Sequence, residues 1–144
     1  MTDAKTPEHL DRQAVQDIFD ASPFISTLNL EVGELNYDTM EISVRMPMQA
    51  SFERRAGTAQ FHGGPLAAFM DVVGDFAIGM LVGGGVPTMN LRIDYLKPAI
   101  GATVTGTAKV RRRGRSMAVV DIDVSDEKGA LVAVGRGTYV PITG

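Results

Sequence analysis

His62-Gly63-Gly64-Pro65 runs straight into an apolar stretch that carries Asp71 and Asp75. Glycine lacks a Cβ, so a backbone built from it can approach a ligand closely and adopt conformations that other residues resist. Proline suits the first turn of a helix, where its missing N–H breaks no helical bond. The amides just ahead of Pro65 would lie at the positive end of the helix dipole, a place for an anion or a polarised carbonyl oxygen. Asp71 interrupts Leu66-Ala67-Ala68-Phe69-Met70 with a carboxylate. An amide donor for a developing oxyanion and a carboxylate on one element can together carry acyl transfer. Without the glycine turn, Asp71 would read as a solvated residue at the flank of a buried helix. With it, Asp71 reads as a general base or nucleophile. Asp75, one turn later, reads as structural or solvated and stays outside the site.

The elements that must position these groups follow from periodicity. Leu10, Val15, Ile18 and Phe19 fall near helical spacing, so a helix is expected over Pro7–Ala21, closed by Ser22-Pro23. A strand is expected from Leu28 to Leu35. Met40, Ile42, Val44 and Met46 alternate with Glu41, Ser43 and Arg45, the period of a half-buried strand. Gln49 to Phe61 has no clear period and reads as a long loop of the functional kind.

The central helix is expected over Pro65–Val82, with Gly83-Gly84-Gly85 ending it in a left-handed cap. Four strand-like runs follow: Thr88–Lys97, Thr103–Arg112, Met117–Ser125 and Leu131–Val140. Their links are too short for parallel crossovers, so they read as an antiparallel meander. A long apolar helix among about six strands must be buried by the sheet, because nothing else can cover it. The fold class is therefore α+β: an antiparallel sheet wrapped around one long central helix, in a single domain over residues 1–144.

Composition narrows the function classes. The 144 residues are 44% hydrophobic and 22% charged, ordinary for a globular protein, and long enough to build a sizeable core. There is no cysteine, which rules out disulfides and thiol nucleophiles. With His9 and His62 the only histidines, no metal site is expected. A net charge of −3 disfavours nucleic acid as a partner. The N-terminus has no apolar run of signal type, and the one long apolar segment carries aspartates. No membrane partner is expected, and the location is read as cytoplasmic. The methionine-rich set Met40, Met46, Met48, Met70, Met80 and Met89 reads as core filler.

Beyond these patterns, the chain resembles the hotdog-fold acyl-CoA thioesterases, in particular the phenylacetate-pathway (PaaI-type) subgroup. The first matching motif is His62-Gly63-Gly64 followed by an acidic residue nine positions after the histidine, here Asp71. The second is Thr88-Met89-Asn90-Leu91-Arg92-Ile93-Asp94-Tyr95-Leu96-Lys97-Pro98, and the third is Gly114-Arg115-Ser116 leading into Val119-Val120-Asp121. By resemblance, the Gly63 amide would polarise a thioester carbonyl and Asp71 would activate water or attack the carbonyl itself. Thr88 would help place the water, while His62 would shape the turn and anchor the helix start. Gly64, Gln60, Arg113, Arg115 and Ser116 would contact the acyl-CoA substrate. The site would lie across the interface of a homodimer or homotetramer, with no bound cofactor. One departure stands out. The family often has an amide side chain six positions before the histidine, where this chain has Ala56, with Gln60 nearby.

Several of these residues also have plainer readings. Thr88 alternates with Asn90, Arg92 and Asp94, which reads as the polar face of a strand. Arg111, Arg112, Arg113 and Arg115 read as a solvated hairpin end, or as a contact for the phosphates of coenzyme A. Neighbouring strand residues face opposite ways, so not all four arginines can serve. Two rival functions remain. A hotdog hydratase or dehydratase would need a histidine paired with an acid, and only His62 is available. A binding protein that holds acyl-CoA without turnover would be consistent with Ala56.

Overall fold

The longest helix explains most of the architecture. α2 (Gly63–Val82) buries Leu66, Phe69, Met70, Val73, Phe76, Ala77, Met80 and Leu81, and is apolar nearly all round. Such a helix is stable only inside a core. It is long and apolar enough to cross a membrane, yet most of it is enclosed by the protein's own sheet. Its start lies two residues before Pro65. His62 is the N-cap, with its ring Nδ1 accepting from the Gly64 N–H at 3.2 Å, so Pro65 sits within the first turn rather than opening it. Gly83 closes the helix at φ 95°, a conformation that glycine adopts without strain.

The computed structural model describes residues 9–143. Six strands surround α2: β1 (Glu31–Asn36), β2 (Glu41–Pro47), β3 (Thr88–Tyr95), β4 (Thr103–Arg113), β5 (Ala118–Asp126) and β6 (Leu131–Tyr139). They form one antiparallel sheet in the order β1-β2-β4-β5-β6-β3. The expected sheet around a central helix is what the chain forms. The expected meander holds only for β4, β5 and β6. β3 pairs with β6 and not with β4, so the link after β3 crosses the end of the sheet. Three strand spacings come to roughly 14 Å, within reach of a short extended segment.

Alternation sets the inner face. Val104, Ala108 and Val110 on β4 and Val120, Ile122 and Val124 on β5 are all buried. Met46, Met70 and Met80 are core residues as expected, whereas Met89 is 60% exposed on β3. The N-terminal helix α1 (Arg12–Ala21) is capped by Asp11, whose carboxylate accepts from the Ala14 N–H; residues 7 and 8 of the expected helix lie outside the described residues. α1 covers one end of the core through Val15 and through Phe19, which meets Phe76 edge-on. The strand expected from Leu28 begins three residues later. Ile25–Leu28 is instead a 3-10 turn, and Asn29 takes a left-handed conformation that a strand cannot hold. The loop over Gln49–Phe61 contains a 3-10 turn at Ala50–Phe52 and is pinned by the bridge between Glu53 and Phe61.

Candidate active site

α2 carries two chemically distinct places, eight residues apart. At its start the Gly63 N–H has no acceptor among the described residues, while the Gly64 N–H is taken by His62. The Gly63 carbonyl accepts from the Tyr95 hydroxyl at 2.8 Å, and the Tyr95 ring lies so close that a Cβ at Gly63 would come within 3.3 Å of it. A helical φ serves at Gly63, so it is this crowding that favours glycine. Gln60, Arg54, Leu66, Tyr95 and Lys97 line a cavity of about 320 Å³ beside the turn. Ala56 is exposed in the turn that the Thr58 N–H closes onto the Arg55 carbonyl. The nearby amide on the cavity wall is that of Gln60.

Two turns along α2, Asp71 is half-buried. Its Oδ1 accepts from the Thr88 hydroxyl at 2.8 Å. The Tyr139 hydroxyl donates to the Asp71 carbonyl at 3.2 Å and lies 3.5 Å from Oδ1. Tyr139 is fully buried, and burial together with the Asp71 charge holds its phenol well above the ordinary range. Room for the ring comes from Gly74 and Gly137. A Cβ at either would lie within 2.5 Å of Tyr139.

Of the two readings of Thr88, the plain one, a polar face shared with Asn90, Arg92 and Asp94, is corrected. Thr88 pairs with Tyr139 and Asn90 with Thr138, so an extra residue is inserted at Met89. This bulge shifts the alternation by one. Thr88 therefore shares the helix-facing side with Leu91, Ile93 and Tyr95. Asp75 answers to the structural one of its two readings. It is half-buried rather than solvated, and its Oδ1 accepts from the Val86 N–H at 2.8 Å. Burial pushes its carboxyl up to about 7, against the opposing effect of the Val86 bond and with the Asp71 charge adding to the rise.

The arginines separate. Arg111 is drawn to Asp121 at 3.5 Å on the outer face, where Arg136 also binds Asp121 at 2.6 Å and 3.0 Å. A second bulge follows Val110 and puts Arg113 opposite Ala118, on the helix-facing side. Arg113 and Arg115 border a cavity of about 370 Å³ with Val82 and Ile142, at the end of the sheet where Thr88 and Tyr139 lie. Ser116 is exposed in the same turn and does not line that cavity. Within one chain, then, Gly63, Gly64, His62 and Gln60 form one group, and Asp71, Thr88 and the arginine hairpin form another. Tyr95 and Tyr139 were given no role by sequence reasoning, and Asp75 was set outside the site. Only the helical spacing of Asp75 from Asp71 hinted at any of them.

The family model of the thioesterase superfamily matches residues 60–133. A candidate esterase of Saccharolobus solfataricus is 30% identical over 129 residues, 88% of this chain and 89% of its own. A medium/long-chain acyl-CoA thioesterase of Escherichia coli is 34% identical over 53 residues, 37% of this chain and 34% of its own. The structure of the Escherichia coli PaaI protein, from the phenylacetic acid degradation operon, superposes with a TM-score of 0.78 at 25% identity, covering 92% of this chain and 93% of that one. With its six-stranded sheet around α2 and these relatives, the chain belongs to the thioesterase superfamily, as a thioester hydrolase of the hotdog fold.

Proposed function

We propose that the protein hydrolyses acyl-CoA thioesters at two equivalent sites, each built across a two-fold dimer. The observation that carries this reading is the separation along α2. Eight residues at 1.5 Å each place Gly63 and Asp71 about 12 Å apart along the axis. One thioester carbonyl cannot touch both groups of the same chain. β3 lies at the open edge of the sheet, with Thr88 against Asp71 at one end and Tyr95 against Gly63 at the other. Antiparallel pairing of two such edges about a two-fold axis reverses one relative to the other. It sets the partner subunit's Gly63 beside Asp71, and the reverse. Exposed Met89, Tyr95 and Leu96 on this edge favour covering it.

At such a site Asp71 takes a proton from water while Thr88 holds one carboxylate oxygen. The water oxygen adds to the thioester carbonyl, and the new oxyanion receives the N–H of the partner's Gly63. Collapse re-forms the carbonyl and expels the coenzyme A thiolate, leaving the free acid. His62 fixes the turn as its N-cap, and Gly64 lends it the second amide. Gln60 stands in for the amide missing at Ala56. Arg113, Arg115 and Ser116 meet the coenzyme A phosphates near the mouth. The apolar side of the cavity at Phe61, Leu66 and Ala99 suits a small aromatic or medium-chain acyl group.

A mixing experiment tests this reading. Asp71→Ala and Gly63→Val are each assayed for thiol release from hexanoyl-, benzoyl- and phenylacetyl-CoA, then mixed so that subunits exchange. A site shared between chains restores turnover in the mixed dimer, because one of its two sites holds an intact Asp71 and an intact Gly63. A site within one chain restores none. Tight binding of acyl-CoA by the wild type without thiol release would instead establish the binding protein that Ala56 allows.

A further inference from the structure

Two bonds tie the same face of α2 to the entry of β3. Asp71 accepts from the Thr88 hydroxyl, and Asp75 accepts from the Val86 N–H, both at 2.8 Å. The segment they hold follows three consecutive glycines, which bring no side chains to restrain it. Pro87 has no N–H to give; its carbonyl accepts from the Val140 N–H. Directly beyond lies the bulge at Met89 that turns Thr88 inward. Without that extra residue the alternation would carry Thr88 to the outer face.

We infer that Asp75 is a positioning residue: by holding the Val86 amide it keeps the bulge in register and Thr88 against Asp71. This rests on the hydrolytic reading of Asp71, but the latch itself is a feature of the fold. The titratable groups that face Asp75 are Asp71 on its own helix and Tyr139 from β6. Charged Asp75 accepts the Val86 N–H more strongly than neutral Asp75 does. With its carboxyl pushed up to about 7, the latch tightens as pH rises through neutrality.

The test compares Asp75→Ala and Asp75→Asn, in the wild-type and Thr88→Val backgrounds. Asp75→Ala is expected to lower kcat about tenfold with KM changed less than about twofold, the cost of one charge-assisted bond. Asp75→Asn keeps an acceptor oxygen, so it should stay within about threefold of wild type while losing any step in kcat near pH 7. In the Thr88→Val background, Asp75→Ala should cost nothing further, since its effect passes through Thr88. An equal loss in both backgrounds overturns the inference, as does unchanged kcat in Asp75→Ala. Amide exchange at Val86 and the Thr88 side-chain NMR shifts read the latch without substrate. If wild type releases no thiol, the hydrolytic reading fails by itself, and Thr88 shifts unmoved by Asp75→Ala sink the latch. Should Asp75→Ala not fold, the Thr88 shifts and pH profile of Asp75→Asn decide.

Discussion

At the start of α2 the backbone offers the proposed oxyanion donor, and eight residues further on side chains offer the proposed base. Gly63 presents a bare N–H on an open turn, crowded by Tyr95 and shaped by His62. Asp71 and Asp75 present carboxylates in a half-buried pocket, held by Thr88, Val86 and Tyr139. The donor end needs little around it, because a peptide N–H has a fixed charge and the helix dipole reinforces it. The acceptor end needs a scaffold, because a carboxylate rotates and changes charge with pH. All three of these supports come from the strands and loop beyond α2 rather than from the helix. The difference teaches that a dipole can be placed by local sequence alone, whereas a base must be placed by tertiary contacts.

The sharpest way to break this contrast is to remove the carboxylate proposed as the base. Asp71→Ala should lower thiol release by about two orders of magnitude or more, because among the described residues no other carboxylate reaches the Thr88 hydroxyl. Near-native turnover in a folded Asp71→Ala protein would take the base away from this end. Removing Arg115, on the hairpin beyond Asp71, is expected to raise KM for acyl-CoA about tenfold with kcat little changed. An unchanged KM would return the arginine to the solvated surface.

At the donor end, Tyr95→Phe deletes only the bond to the Gly63 carbonyl. A loss of kcat of about fivefold is expected, one neutral hydrogen bond's worth. A loss as large as that of Asp71→Ala would mean that the backbone end needs as much support as the carboxylate end. Stability separates the two ends further. Folded Asp75 keeps its proton up to about pH 7, whereas the unfolded chain releases it near 3.8. Stability should therefore fall as pH rises across that window, by at most about 1.4 kcal/mol per pH unit. In urea melts from pH 4 to 8, Asp75→Asn should flatten that slope. An undiminished slope in Asp75→Asn would place the responsible group elsewhere.

Much of this was legible along the chain. The apolar run ending in three glycines foretold α2 and its left-handed cap at Gly83. Period-two alternation foretold β2, strand-like runs foretold β3 to β6, and the pairing of Gly63 with Asp71 on one element followed from their spacing. Alternation alone put Thr88 on a polar face, against its reading as a site residue, because alternation cannot register an inserted residue. Asp75 was left between a structural and a solvated reading, because its partner is a backbone N–H eleven positions away. Tyr139 stood at the end of a strand with nothing local to link it to Asp71.

By itself the sequence determined the helix, most of the strands and the two chemical groups on α2, since these depend on neighbours within a few residues. Only the tertiary structure decided that β3 pairs with β6, that a bulge turns Thr88 inward and that Tyr139 reaches Asp71. Those outcomes depend on strand register and close packing between distant segments, and a periodic pattern of side chains carries no record of either.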